Sequence, residues 1–454
     1  SAIARVLREL GYAVSGSDQR ESAVLSALRS LGVTVDIGHR ASRVEGAGLV
    51  IASAAVPAGN VELEAARAAG IPILSRGQAL AQLVEGSTCV AVAGTHGKTT
   101  TSGMVATLAE VAGLEPTWLL GADLAPVGGA ASGGRPRSRP GGHLGRGRVS
   151  VVEADEAYGS FLWLEPAIAV VTNVEEDHLD HYGTMEALVS AFERFCGSVS
   201  GSLILCADDR RAVALAGAAR AGARLVTYGL GSPPDPALGP HLGAVGVETG
   251  ASGSAFRLTV DGREATPVRL PLAGRHNVLN ALGAAAAGIA LGLEPAVVAA
   301  GLAEFAGASR RFEFRGSYAG ADLVDDYAHH PTEIAATLEA ARWGPWRRVI
   351  AVFQPHLYSR TQAMWQAFGT ALAQADVVVV TDIYGAREQP VPGVTGKLVI
   401  DAACEAAPGR RIAYLPRLDE AAGYVRSILR EGDLVLSLGA GDVTTLPQRI
   451  VGGG

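Results

Sequence analysis

VAVAGTHGKTTTSGMVATL, residues 90–108, decides how the rest of this chain is read. The apolar run Cys89–Ala93 predicts a buried strand, and Thr99–Ala109 predicts a helix. Between them Gly94-Thr95-His96-Gly97-Lys98-Thr99 makes a tight glycine turn whose backbone N–H groups would face an anion at the helix N-terminus. Lys98 and Lys397 are the only lysines among 454 residues. A chain that avoids lysine yet keeps one between Gly and Thr uses it for something arginine cannot do. A compact ammonium on a slim stem can lie along the loop and reach β- and γ-phosphates, where a planar guanidinium does not fit equivalently. Thr99 would offer its hydroxyl to Mg²⁺. The segment reads as a nucleoside-triphosphate site. Val92 stands where the general phosphate loop has its first glycine, so the loop is a variant. That variant, and the absence of a guanine-specifying NKxD motif, argue against an ordinary GTPase or small-molecule kinase.

The length suggests about three domains rather than one core. Hydrophobic content of 48% with 18% charge marks a well-packed globular protein. A formal net charge of −7 disfavours nucleic acid as a general partner. Cys89, Cys196, Cys206 and Cys404 show no CxxC spacing and read as reduced core residues of a cytoplasmic protein. No secretory leader pattern and no apolar run of membrane-spanning length is present, so no membrane partner is expected.

Residues 1–86 alternate helix to Leu10, strand Tyr12–Ser15, helix Ser22–Leu31, strand Leu49–Ala52, helix Val61–Ala69 and strand Pro72–Leu74. That rhythm predicts a doubly wound, Rossmann-like parallel sheet. Asp18 falls just past its strand, where a carboxylate can accept from a ribose hydroxyl or simply lead a helix turn. Residues 87–308 hold the phosphate loop in a larger α/β domain, with strands Val149–Val152, Ile168–Thr172 and Phe256–Val260. Ala125–Arg148 and Pro233–Ser254 read as loops. Residues 309–454 alternate again, with strands Arg348–Phe353, Val377–Asp382, Arg411–Tyr414 and Asp433–Leu438, and predict a second Rossmann-like domain.

Several polar clusters stand at strand ends, where residues of parallel strands point into a ligand crevice. Glu153-Ala-Asp155-Glu156 would place Glu153 on the Mg²⁺ that Thr99 also holds. Thr172-Asn173-Val-Glu-Glu-Asp177-His178-Leu-Asp180-His181 suits phosphate or metal contacts, although Mg²⁺ prefers oxygen over imidazole. Gly274-Arg-His276-Asn277-Val-Leu-Asn280 opens an Ala-rich helix, so its polar residues either bind a purine edge or cap the helix. Asp325-Asp326-Tyr-Ala-His329-His330-Pro and Phe353-Gln-Pro-His356-Leu-Tyr-Ser-Arg360 look like substrate-facing loops. Neither an HExxH nor a cysteine partner supports zinc at the histidine pair.

Taken together, GTHGKTTT (94–101), EADE (153–156), TNVEEDHLDHYG (172–183), GRHNVLNALGA (274–284), RRFEFRG (310–316), DDYAHHPTEI (325–334), FQPHLYSRT (353–361) and DIYGAREQPVPGVTG (382–396) resemble the Mur ligases. The likeness runs in order over essentially the whole chain and is greatest to the alanine-adding branch. It implies three domains: 1–86 for a UDP-linked substrate, 87–308 for ATP, and 309–454 as the C-terminal ligase domain. The family opens with a strand and a glycine-rich loop, and Ser1-Ala-Ile-Ala corresponds to that loop's last four residues, so this strand and loop are expected to be missing. The implied activity is ATP-dependent amide formation between UDP-N-acetylmuramate and L-alanine through an acyl phosphate, in peptidoglycan precursor synthesis, by a cytoplasmic monomer or homodimer.

The resemblance also distributes roles. Gly94, Thr95, His96, Gly97, Lys98, Thr99 and Thr100 would hold the ATP phosphates, with metal on Thr99, Glu153 and His178. His276, Asn277 and Asn280 would meet adenine, Arg311 the γ-phosphate and Asp326 the ribose. Ser17, Asp18 and Ser53 would contact the UDP-sugar, and His330, His356 and Arg360 would orient the muramoyl or alanine end. Leu357 occupies a position where many members have Arg, leaving Arg360 as the carboxylate clamp. No lysine lies between Lys98 and Lys397, so the carbamylated lysine of several sister ligases is absent. A sister ligase that recycles tripeptide and a non-catalytic nucleotide-binding cell-wall regulator are the competing expectations.

Overall fold

The computed structural model describes residues 2–127, 139–231 and 235–452. The chain divides into two compact units, and the first comprises Ser1–Val247, Ala255–Leu270 and Leu279–Ala306. It opens with two small parallel pairs, β1 (Ser15–Asp18) with β2 (Thr34–Ile37), and β3 (Val50–Ala52) with β4 (Ile73–Ser75). A doubly wound parallel sheet was expected over 1–86; the pairing there is parallel, in two two-stranded sheets. These strands are three or four residues long and none is buried, so they lack the continuous apolar run that a sheet covered on both faces requires. β1 also begins where the Tyr12–Ser15 strand was expected to end. Tyr12 instead closes the first helix, its N–H reaching the carbonyl of Leu7 at 3.0 Å.

Among the described residues the main sheet has ten strands: β5 (Thr88–Ala93), β6 (Thr117–Leu119), β7 (Gly142–His143), β8 (Val149–Glu153), β9 (Ile168–Val171), β10 (Ser202–Cys206), β11 (Arg224–Gly229), β12 (His241–Gly250), β13 (Gly253–Val260) and β14 (Arg263–Leu270). Their order is β14-β13-β12-β11-β10-β9-β5-β8-β6-β7. β5 pairs in parallel with β8 on one side and β9 on the other, and the chain order reverses there. Ligand crevices of open α/β sheets form at such a reversal, beyond the carboxyl ends of the strands. Val90–Ala93 and Ile168–Val171 are buried on both faces, as an all-parallel centre demands.

Two loop expectations fail. Within 233–254, residues 241–250 form β12, held to β11 in the register Thr227↔His241, Tyr228↔Leu242 and Gly229↔Gly243. Ladder pairing overrides the low strand propensity of its glycines. Of 125–148, residues 128–138 lie outside the described residues, but Gly142–His143 is edge strand β7, antiparallel to β6. Gly142 is needed there because a Cβ would stand 2.6 Å from the Cα of Ala2.

The second unit comprises Glu248–Ser254, Pro271–Val278 and Gly307–Gly454. Its six strands are β15 (Glu313–Tyr318), β16 (Ala321–Asp326), β17 (Arg348–Phe353), β18 (Val377–Val380), β19 (Arg411–Tyr414) and β20 (Asp433–Leu438), in the order β15-β16-β20-β17-β18-β19. Only β15 runs antiparallel. Separate apolar clusters, one around Phe353 and Phe368 and one around Val352 and Val425, draw on alternate residues of these strands, as expected of a doubly wound domain. Cys89, Cys196 and Cys206 are buried and free. Cys404 is a correction to the core expectation: it is exposed, because the helix Gly396–Ala406 buries Val399, Ala402 and Ala403 instead. Among the described residues no helix is long and apolar enough to cross a membrane.

Small residues set the spacing of helices behind the main sheet. Gly301, on the helix Pro295–Glu304, lies so close to the helix Lys98–Val111 that a Cβ would meet Leu108 Cδ2 at 2.6 Å and Cα at 2.9 Å. Backbone cannot step aside as a flexible side chain can. Gly301→Ala is expected to lower stability by about 1–3 kcal/mol, read as a fall in the denaturant midpoint at unchanged slope; an unchanged midpoint would show that the two helices part freely.

Candidate active site

The loop after β5 is built by close approach. Gly94 has φ +128° and a Cβ there would collide with Thr172 at the end of β9; Gly97 has φ +81° and a Cβ would collide with the Asn280 amide. Only glycine satisfies both backbone and space. Main-chain and side-chain bonds then fasten the loop to the segment after β9. Thr95 N–H donates to Asn173 O (3.0 Å), His96 N–H to Asn173 Oδ1 (2.8 Å), and Thr172 Oγ1 to His96 O (2.6 Å). The helix Lys98–Val111 starts from Gly97, which offers no side-chain cap, so its first N–H groups and the positive end of its dipole face the loop mouth.

Lys98 does not extend into solvent. Its ammonium donates to Gly94 O (2.6 Å), Thr95 O (3.1 Å) and both Glu156 carboxylate oxygens (2.9 and 2.8 Å). The Glu156 side chain is only 1% exposed. Burial pushes the Glu156 carboxyl up to about 7, against the pull of the ammonium. Burial alone would lower Lys98, but Glu156, Asp155 and Glu153 outweigh it and hold the ammonium above its ordinary range. Asp155 is half-buried, and Lys98 and Arg76 hold it below the usual carboxylate range; Arg76 donates to its Oδ2 at 2.7 Å.

Glu153 ends β8 opposite Val92. Its Oε1 accepts from Thr99 Oγ1 at 3.0 Å and its Oε2 from Gly121 N–H at 2.8 Å. A hydroxyl and a carboxylate presented together are an oxygen pair suited to a hard divalent cation. His178 has φ +55°, and its Nε2 lies 3.6 Å from Glu156 Oε1. One ligand atom each from Asp155, Glu156 and His178 lies within 4.8 Å of the others. The structure thus brings Lys98, Thr99, Glu153 and His178 together as expected, and adds Asp155 and Glu156 more firmly than strand-end position alone suggested. Arg76 had no sequence signal beyond a helix start.

The expected UDP-sugar residues are spread. Ser17 Oγ donates to Glu62 Oε2 (2.6 Å) and lies 2.9 Å from His39 Nδ1; Asp18 is exposed and accepts from Arg20 N–H (3.2 Å). Ser53 follows β3 and lines a cavity of about 280 Å³ with Ser75, Arg76, Gln78, Asp155 and Tyr158. Asn280 sits in the first unit against Gly97.

The remaining candidates belong to the second unit. Burial, with the Arg311 guanidinium nearby, pushes His276 down to about 4, so its ring is neutral at physiological pH. Asn277 Nδ2 donates to Ala273 O at 2.8 Å, a local bond at the helix start. Asp326 ends β16 and is buried, its two oxygens accepting from Phe312 and Ala328 N–H (2.7 Å each), and burial raises it to about 6. Arg311 is flanked by left-handed residues, Arg310 at φ +59° and Phe312 at +51°; it pairs with Glu333 (3.5 Å) and lies over the Tyr327 ring. His330 caps the helix Pro331–Ala341, its Nδ1 accepting from Thr332 N–H at 3.3 Å. Arg360 and His356 meet at 3.2 Å.

Removing the Lys98 charge while keeping its bulk tests the buried pair. In Lys98→Met the Glu156 carboxyl loses its counter-charge and its pKa climbs further above the unfolded value. A raised folded pKa on an acid costs stability once pH exceeds the unfolded pKa, and the cost grows until the folded pKa is passed. Lys98→Met is therefore expected to lose about 3–5 kcal/mol at alkaline pH and less near pH 5, measured as the difference in Tm from the unaltered chain at each pH. A loss independent of pH would contradict the ion pair.

Comparisons with known proteins give the family. Residues 1–88 match "Mur ligase family, catalytic domain", 149–288 match "Mur ligase middle domain", and 310–441 match "Mur ligase, glutamate ligase domain". The chain is 48% identical to a UDP-N-acetylmuramate–L-alanine ligase of Kineococcus radiotolerans, covering 99% of this chain and 93% of that protein. It is 44% identical to the protein of the same name from Thermobifida fusca, with coverages of 99% and 93%. Among solved structures it resembles the UDP-N-acetylmuramate–alanine ligase of Thermotoga maritima at a TM-score of 0.78 and 27% identity, over 100% of this chain and 95% of that one. With identity at this level along nearly its whole length, the chain belongs to the Mur ligase family.

Proposed function

We propose that this chain joins L-alanine to UDP-N-acetylmuramate at the expense of ATP, forming an amide bond in peptidoglycan precursor synthesis. The observation that carries the reading is Lys98, fixed below an uncapped helix N-terminus with the Thr99–Glu153 pair 3.0 Å across. The family domains are assigned to 1–86, 87–308 and 309–454. A monomer or homodimer acting in the cytoplasm completes the reading.

The chemistry follows from what such a site can do. The muramoyl carboxylate attacks the γ-phosphorus of ATP, releasing ADP and giving an acyl phosphate. The alanine amine then attacks the acyl carbon, and the tetrahedral adduct collapses with loss of phosphate. No covalent enzyme group is required; positioning and charge neutralisation supply the rate. Lys98, with the N–H groups of Gly97, Thr99 and Thr100, receives the terminal phosphates, while Thr95 and His96 keep the loop fastened. Thr99 and Glu153 would hold one Mg²⁺ and His178 a second, supplying charge neutralisation at the phosphate oxygens. Neutral His276, with Asn277 and Asn280, is assigned to adenine, Asp326 to ribose and Arg311 to the γ-phosphate. Ser17, Asp18 and Ser53 are assigned to the UDP-sugar, and His330, His356 and Arg360 to the muramoyl or alanine end.

The test is phosphate release from ATP with Mg²⁺ and UDP-N-acetylmuramate, with and without L-alanine. Alanine-dependent release is expected. Release that answers only to a tripeptide would move the chain to the recycling branch, and nucleotide binding without release would make it a binding protein. Lys98→Ala is expected to lower alanine-dependent release at least about 100-fold, and a rate equal to that of the unaltered chain would remove Lys98 from the phosphate site.

A further inference from the structure

The segment DIYGAREQPVPGVTG has no role in the assignments above, yet its start is wound into the second unit's candidate site. Tyr384 follows β18 as His356 follows β17, and the two residues form an isolated parallel bridge. Leu357 N–H donates to Tyr384 O (3.0 Å) and Tyr384 N–H to Pro355 O (2.8 Å). The two rings lie stacked, 14° from parallel with centroids 6.0 Å apart. Behind them, Glu388 accepts from Ser359 N–H (3.0 Å) and Ser359 Oγ (2.5 Å), tying the same loop to the start of the helix Tyr358–Leu372. Gly441 completes the seat, since a Cβ there would stand 2.7 Å from Tyr384 Cγ.

The consequence falls on His356 and Arg360. Leu357 takes φ +71°, a costly conformation for a bulky residue, and this bend lets His356 face Arg360 one helical turn on. A guanidinium only donates, so at 3.2 Å His356 Nδ1 is the acceptor and the ring proton sits on Nε2. Arg360 is buried at 8% exposure, so its guanidinium has few alternative positions once the imidazole is fixed. The Tyr384 ring, nearly parallel to the imidazole at 6.0 Å between centroids and held there by backbone bonds, restricts the ring plane together with His329, which meets the imidazole edge-on at 6.0 Å.

We propose that Tyr384 is a positioning residue that holds His356 and Arg360 in the geometry that receives the carboxylate of the amino-acid substrate. It rests on the assignment of His356 and Arg360 to the alanine end. A carboxylate recognised by a guanidinium and an imidazole N–H needs donors preset in direction, because disordered donors lose affinity to the entropy of ordering them. Tyr384 acts through those two residues and touches no reacting atom.

The experiment compares KM for L-alanine, ATP and UDP-N-acetylmuramate in the unaltered chain, Tyr384→Phe, Tyr384→Leu and Tyr384→Ala. Tyr384→Ala and Tyr384→Leu are expected to raise KM for L-alanine at least ten-fold, with KM for ATP and UDP-N-acetylmuramate moving less than two-fold. Tyr384→Phe, which keeps the aromatic face, is expected to restore the lower value. Tyr384→Leu fills most of the space and serves if the alanine variant fails to fold. An L-alanine KM unchanged in the leucine and alanine variants, or a rise shared by all three substrates, overturns the proposal. A second readout needs no turnover: ¹⁵N shifts of the His356 imidazole should show a fixed Nε2–H tautomer in the unaltered chain and an averaged one in Tyr384→Leu. A fixed tautomer in both overturns the proposal, whereas absence of alanine-dependent release by the unaltered chain counts against the ligase reading instead.

Discussion

The Lys98 ammonium is the point at which the site's backbone and its charges are tied together. Two carbonyls of the glycine turn and one buried carboxylate converge on a single nitrogen, which carries three protons for four oxygens. A guanidinium spreads its donors over a rigid plane and cannot satisfy acceptors that converge on one atom. This gives the near-absence of lysine elsewhere a physical meaning at position 98. Taking both charges out of water is costly, and the Coulombic gain offsets that cost only because the remaining hydrogen bonds are in place. An incoming polyphosphate therefore meets a cation already fixed in position, and little side-chain freedom remains to be lost on binding.

The fixed ammonium depends in turn on the order of strands. β5 lies between β8 and β9, so the carboxylates at and after the end of β8 reach Lys98 and Thr99 from one side and the Asn173 amide after β9 reaches the glycine turn from the other. Gly94 and Gly97 allow this approach, because their neighbours occupy the space of a Cβ. A parallel centre buried on both faces leaves its polar residues one place to emerge, the carboxyl ends of the strands. The clustering of charge follows from the topology.

This is why so much of the first unit's site was legible in the sequence. The run Cys89–Ala93 with its glycine turn gave strand, loop and helix, and EADE and TNVEEDH each followed a buried run. What stayed hidden was pairing. Nothing in the spacing says that Glu156, rather than Glu153, is the carboxylate under Lys98, or that Arg76, some eighty residues earlier, reaches Asp155. Residues 1–86 show the opposite failure. Their helices were legible as amphipathic runs such as Ser22–Leu31 and Val61–Ala69, but strand pairing leaves no periodic mark in segments of three or four residues with no buried face. β12 was missed for a related reason, since its glycines read as a loop and only the partner strand makes it a ladder.

In the second unit the same logic separates two adjacent pairs that look alike in sequence. Arg310-Arg311 and Asp325-Asp326 offer two possible arginine–aspartate matches, and strand alternation resolves them, because successive side chains leave a strand on opposite faces. Asp325 points inward, fully buried, where Ser437 Oγ (2.8 Å), Thr444 Oγ1 (2.7 Å) and Arg310 Nε (3.1 Å) surround it. Arg310 is further spent on the carbonyl of Gly439 at 2.6 Å, so this pair anchors the turn after β20. Asp326, one residue on, faces the other way and draws Phe312 N–H toward it, which bends the chain at Arg310 and Phe312 into left-handed conformations on either side of Arg311. Backbone strain of this kind persists only where surrounding bonds over-determine it. Here the Arg310 anchor on one face and the Asp326 cap on the other do so, and the residue left between them is the arginine assigned to the γ-phosphate.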